Sequence, residues 1–172
     1  KREQIKDLGT LPLPAWDLAK MESYTVSQPD LRYTYERGVC LTLSTSRGCP
    51  FDCAFCSAHS VYGRGNRPRP ILSVVDEIQM LVEQYGVDKF FIVDESIFWY
   101  KDRAELFAEE ILRRGLKITY ASSARVTDKG INLETLTKMR LSGLTRVDFG
   151  LESGSQRILD DICKHTTIEQ IK

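Results

Sequence analysis

The chain has 172 residues, of which 42% are hydrophobic, 28% charged and 9% aromatic, a composition that excludes collagen-like, coiled-coil and largely disordered chains. Its 24 Lys and Arg balance 24 Asp and Glu, so no overall positive field draws a polyanion or an anionic membrane surface, and nucleic acid is not an expected partner. The apolar runs are a few residues long, far below the ~20 that cross a bilayer, and KREQIKDLGTLPLP lacks a signal-peptide core; the expectation is a soluble, cytoplasmic protein with no membrane span.

Residues 1–38 follow no βα pattern. LPLPAWDL, with Pro12 and Pro14, is extended, and the Pro, Tyr and charged residues through Tyr35 read as a linker or packing arm. From about Arg37 onward, short β-rich runs alternate with helical patterns, as in βαβ units around a parallel sheet. CLTLSTS (40–46) is the first strand. Ser73 and Asp76 predict a capping box for the helix VVDEIQMLVEQY, which Gly86 ends. KFFIVDES (89–96) is a strand whose nearly continuous apolar core predicts cover on both faces. Asp102 and Glu105 are expected to cap RAELFAEEILRR, with Gly115 at its end. KITYASSARV, NLETLTKMRLSG and the stop at Gly143 form a third unit; TRVDFGLES and SQRILDDICK open a fourth. The chain begins at Lys1 without Met and ends in HTTIEQIK, which reads as the first turn of a helix, so a fragment of a longer protein is expected.

Five Cys without an export signal argue against a disulfide framework and for metal or redox chemistry. Three are clustered as Cys49-x3-Cys53-x2-Cys56 in SRGCPFDCAFCSAH, directly after the first strand. Soft thiolates at this density bind zinc or an iron–sulfur cluster. His59 could complete a tetrahedral zinc site and make the chain a non-catalytic interaction module. Alternatively, three thiolates hold three irons of a 4Fe–4S cube and leave the fourth open to an exchangeable ligand. Cys40 and Cys163 read as small buried hydrophobes, and the basic loop YGRGNRPRP as a solvated segment.

CPFDCAFC, with Phe55 at the aromatic position, resembles the CxxxCxφC motif of the radical S-adenosylmethionine superfamily. The resemblance extends through VVDEIQMLVEQYGV, FFIVDESIF, SSARV and MRLSGLTRVDFGLESGSQRIL, about residues 10–172, and is to the subgroup that often carries an N-terminal cobalamin-binding domain. It implies a partial (βα)6 barrel, truncated to about four βα units, with its site at the C-terminal strand edge. Residues 39–172 would be the N-terminal part of the catalytic domain. Residues 1–38 would be an arm following a cobalamin-binding domain.

The resemblance further implies that Cys49, Cys53 and Cys56 hold a 4Fe–4S cluster whose open iron takes S-adenosylmethionine. Reductive cleavage of that cofactor would give a 5′-deoxyadenosyl radical that abstracts hydrogen from a small-molecule substrate, with a donor such as flavodoxin or ferredoxin. Cobalamin-dependent methylation of an unactivated carbon is the expected outcome. Cyclisation and tRNA methylthiolation are the alternatives. Phe55 would lie beside the cofactor, Asp94 and Glu95 would receive its ammonium, and Glu152 in GLES its ribose hydroxyls. Ser123 and Arg125, at the end of ASSARV, would also bind the cofactor, Arg125 by forking onto its carboxylate. Ser153 is expected to serve the cap of the following helix, whose N-cap falls on Ser153 or Ser155.

Overall fold

The computed structural model describes residues 3–26 and 38–172. The strands are β1 (Thr25–Val26), β2 (Gly38–Leu43), β3 (Ser46–Arg47), β4 (Arg67–Pro68), β5 (Lys89–Ile92), β6 (Thr119–Ala124) and β7 (Leu144–Phe149). The helices are α1 (Ala58–Tyr62), α2 (Ile71–Tyr85), α3 (Lys101–Arg113), α4 (Leu133–Leu141), α5 (Gln156–Asp161) and α6 (Ile168–Ile171).

β2, β5, β6 and β7 pair in parallel and in chain order, each joined to the next through a helix, and β1 adds an antiparallel edge on β2. This is the expected run of four βα units of a partial barrel. Register puts Leu41, Phe90 and Tyr120 in one row and Leu43, Ile92 and Ser122 in the next, all buried. Against these rows pack Val74, Val75, Ile78 and Leu81 of α2, and Ala104, Phe107, Ala108 and Ile111 of α3. Those spacings of three and four residues give each helix one apolar face, and burying each large side chain contributes about 1.5–3 kcal/mol. The alternate sheet positions are wetter: Thr42 is exposed, and Val93 keeps 47% of its surface. The 89–96 strand is therefore shorter than expected and is fully covered on one face only.

Helix starts differ from the sequence reading. α2 begins right after Pro70, whose φ of −54° already suits a helix, so Ser73 and Asp76 lie inside the first turns and form no capping box. α3 starts at Lys101 without a side-chain cap, and Glu105 instead accepts from Thr135 and Lys138 of α4. The ends hold as expected: Gly86 takes the left-handed φ of 65° after α2, and its amide bonds back to the last turn.

The arm packs against the barrel over residues 3–26. Leu8 is buried, the Trp16 indole donates to Glu77 (2.9 Å), and the Arg67 guanidinium donates to the Ile5 carbonyl (2.7 Å). Residues 27–37 of the expected arm lie outside the described residues. Cys40 and Cys163 are half-buried rather than core. Two arginines of the basic loop are structural: Arg67 also donates to the Tyr62 carbonyl, and Arg69 pairs with the buried Glu77 at 2.7 Å.

Candidate active site at the strand C-termini

The cysteine loop stands on a two-stranded stem. β3 and β4 pair antiparallel, so residues 48–66 leave and re-enter at one point above the C-terminal end of β2. Gly48 is required at the crossing: its φ is 93°, and a Cβ there would lie 2.3 Å from the Gly65 carbonyl oxygen. Asn66 bonds Ser46 and the Gly48 carbonyl across the stem.

Beneath the stem sits Asp94, 5% exposed. One carboxylate oxygen accepts the Thr45 amide at 2.6 Å; the other accepts the Thr45 and Ser46 hydroxyls. Burial pushes its carboxyl up from the ordinary value against the pull of those donors. Asp94 is thus turned inward with both oxygens engaged, and it anchors the Thr45–Ser46 turn. Glu95 is the exposed member of the pair. Burial and then the Asp94 charge raise its carboxyl, and it acts electrostatically on Cys49.

Cys53 is buried, whereas Cys49 and Cys56 are half-buried. An N–H donor meets two of the sulfurs, the Ala58 amide at Cys56 (3.4 Å) and the Arg125 guanidinium at Cys53 (3.5 Å). Burial raises the Cys49 thiol above its ordinary value, with the Phe51 amide opposing. Among the described residues, no three His, Cys, Asp or Glu side chains gather to hold one metal ion. A tetrahedral zinc site needs its donors about 2–2.3 Å from one point, whereas a cube takes each thiolate on a different iron. Three thiols on one short loop at the C-terminal strand edge, with N–H donors at Cys53 and Cys56 and the Phe51 ring beside them, fit the donor set a cluster needs from Cys49, Cys53 and Cys56.

Arg125 does not reach out as a free fork. Its guanidinium lies 3.5 Å from the centroid of the Phe51 ring and also donates to the Lys164 carbonyl, so it braces the loop. Ser123, at the end of β6 opposite Asp148 of β7, is half-buried. Phe55 is 57% exposed at the loop tip. Glu152 follows β7 in the left-handed region, φ 65°, and pairs with Lys164 at 2.9 Å. Ser155 occupies the N-cap of α5, and Ser153 supports it by accepting the Ser155 amide.

The sequence reading missed the segment that grips the loop from the side. The Ile162 carbonyl accepts the Ala54 amide at 2.9 Å, and His165 meets Asp52 at 2.6 Å while stacking on Phe51. These pairs are more than 100 positions apart, so no local spacing signals them. A cavity of about 330 Å³ at Gly115–Ile118 lies at the opposite sheet edge, away from where parallel α/β folds place their sites.

Residues 43–172 match the model of the radical SAM superfamily. The chain belongs to the radical S-adenosylmethionine superfamily. It is 32% identical over 98% of its length to an uncharacterized methyltransferase of Pyrococcus horikoshii, covering 34% of that protein. It is 34% identical, again over 98% of its length, to an anaerobic magnesium-protoporphyrin IX monomethyl ester cyclase of Rubrivivax gelatinosus, covering 29% of it. Among solved structures, it resembles the cobalamin-dependent S-adenosylmethionine radical enzyme OxsB with a TM-score of 0.64 and 28% identity, over 76% of this chain and 21% of that one. The chain thus spans about a third of the length of the curated relatives it matches. Radical SAM membership implies a 4Fe–4S cluster and S-adenosylmethionine as cofactors and replaces the zinc-module alternative. Among the described residues no helix is long and apolar enough to cross a membrane.

Proposed function

We propose that this chain is the cluster-bearing part of a radical SAM enzyme that methylates an unactivated carbon of a small molecule with the help of cobalamin held outside these residues. The observation that carries the reading is the loop at the C-terminal strand edge that holds Cys49, Cys53 and Cys56 together, with N–H donors meeting Cys53 and Cys56. When bound, the cluster supplies the electron that cleaves S-adenosylmethionine to a 5′-deoxyadenosyl radical for hydrogen abstraction. Cys49, Cys53 and Cys56 hold the cluster. Phe51 and Phe55 limit water around it, and withholding solvation from a core that gains negative charge keeps its potential low.

Glu95, exposed beside the Cys49 position, accepts the cofactor's ammonium protons, and Glu152 accepts its ribose hydroxyls. Phe55 and Ser123 flank the cofactor. Arg125 holds Phe51 and Cys53 in place. Reduced flavodoxin or ferredoxin serves as donor. The names of the Pyrococcus and OxsB relatives support methyl transfer and cobalamin use, and that of the Rubrivivax relative supports ring formation as the second reading.

The test is anaerobic reconstitution with iron and sulfide, followed by EPR of the reduced protein before and after S-adenosylmethionine. About four iron per chain and a spectrum altered by the cofactor are expected. Stoichiometric zinc binding without an iron–sulfur signal would overturn the reading. With the full-length protein and cobalamin reduced to the Co(I) state, transfer of a deuterated methyl group from S-adenosylmethionine to the cobalt, with release of S-adenosylhomocysteine, is expected; its absence would favour the cyclase reading.

A further inference from the structure

The segment Ile162–Thr166 is unusual in three respects. Cys163 and His165 both occupy the left-handed region, at φ 53° and 52°, a conformation that is uncommon for residues other than glycine. Between them, Lys164 is 6% exposed, a degree of burial lysine rarely reaches unless it is paired. The ammonium's close contacts lie at the candidate site. It meets Glu152 at 2.9 Å, it lies 5.9 Å from the centroid of the Phe55 ring, and Gly150 leaves room for it. A Cβ on Gly150 would sit 3.0 Å from the Glu152 carboxylate and 3.2 Å from the Lys164 ammonium.

The main chain of the same residue faces the thiols. The Lys164 carbonyl accepts from Arg125, whose other nitrogen reaches Cys53, and the neighbouring Ile162 and His165 hold Ala54 and Asp52. One residue therefore touches both halves of the site, with its side chain on the carboxylate after β7 and its backbone on the guanidinium beside Cys53. The two strained neighbours make this possible, because they turn the chain sharply on either side of Lys164. A strained and buried cation of this kind is retained only where the surrounding structure over-determines it.

We propose that Lys164 is a positioning residue that aims Glu152 at the bound nucleoside and locks that carboxylate to the cysteine loop. The inference rests on the reading of Glu152 as the ribose acceptor. Without the ammonium, the Glu152 side chain, 34% exposed, is free to swing into solvent, and the left-handed backbone alone does not direct it. The ion pair fixes it in one direction, which lowers the entropy lost on binding. Its positive charge also partly offsets the carboxylate beside a cluster that becomes more negative on reduction.

The experiment measures S-adenosylmethionine affinity by EPR titration of the reconstituted, reduced cluster in the wild type, Lys164→Met, Glu152→Gln and the double variant. Lys164→Met is expected to keep its iron and to lose affinity about tenfold, the scale typical of removing a group that orients a ligand. The same substitution is expected to add less than about twofold in the Glu152→Gln background, since the two residues act as one unit. The midpoint potential of Lys164→Met should also fall, with recovery in the double variant. If Lys164→Met loses its iron, Gly150→Ala carries the test: its Cβ presses on both Glu152 Oε1 and Lys164 Nζ and shifts the pair by a few tenths of an ångström while keeping both charges, and a smaller affinity loss in the same direction is expected. Wild-type affinity in an iron-replete Lys164→Met or Gly150→Ala protein would overturn the proposal. So would a Lys164→Met loss that persists undiminished beside Glu152→Gln. A wild-type protein whose cluster forms but ignores S-adenosylmethionine would instead sink the proposed function.

Discussion

The two ends of the same strands obey different rules. On the helix side, Leu41, Phe90, Tyr120 and their neighbours bury apolar surface against α2 and α3, with polar atoms satisfied locally: the Tyr120 hydroxyl bonds Ser142 at 2.7 Å and the Met139 carbonyl. At the C-terminal rim charged and polar groups are buried beside the apolar ones. They include Asp94, Asp128 and Lys164, and three non-glycine residues there adopt positive φ. Some buried polar atoms of the rim, Arg125 Nε, Thr127 Oγ1 and Asp128 Oδ1, have no hydrogen-bond partner. The helix side stabilises the domain, and the rim spends part of that stability on holding chemistry in a fixed place.

That contrast is sharpest if a core lesion lowers stability without touching the site. Phe107, 1% exposed and edge-on to Tyr120 at 5.3 Å, is the place to cut. Phe107→Ala is expected to cost about 3–5 kcal/mol in urea unfolding, while the fraction that remains folded takes up iron as the wild type does. Iron uptake that falls in the folded fraction would show the two ends to be mechanically coupled.

Asp94 tests the boundary between the regions. Asp94→Ala leaves the Thr45 amide and the Thr45 and Ser46 hydroxyls without their acceptor and is expected to cost about 1–3 kcal/mol. It should also loosen the stem below the thiols. The check is paired: urea unfolding for stability, and iron per chain after reconstitution, which is expected to drop. A stability loss with full iron loading would confine Asp94 to the fold and detach the stem from the site.

The sequence announces the helix side far better than the rim, for a physical reason. Apolar periodicity and terminal glycines are local signals: Val74, Ile78 and Leu81 mark the buried face of α2, and Gly86 marks its end. The Ser73 box was misleading because Pro70 had already started the helix. At the rim, the three cysteines were legible because all ligands share one short loop. The roles of their supports were not, because Arg125 with Cys53, His165 with Asp52 and Lys164 with Glu152 are contacts made by the returning chain. Residue type identified Asp94 and Arg125 as polar groups at the strand ends, but only the packing shows that one turns inward and the other braces a ring.

The smallest expected effect lies in the exposed Asp52–His165 contact, where the cysteine loop meets the returning segment in open solvent. Pairing with His165 holds the Asp52 carboxyl below its ordinary value of 3.8, so the folded state favours the ionised form. The contact therefore contributes fully above that ordinary value and is lost as pH falls through the lower folded value. Its solvent exposure keeps the contribution slight. Hydrogen exchange at the Ala54 amide, which bonds the Ile162 carbonyl beside this pair, reads the opening of the loop. Protection corrected for intrinsic rates is expected to decline in the wild type as pH drops below about 4 and to be lower and nearly flat in His165→Ala. Identical protection in the two proteins across that range would mean that the Ile162 and Lys164 carbonyls hold the loop unaided, leaving the strained backbone, not the surface charge pair, as what keeps the rim in place.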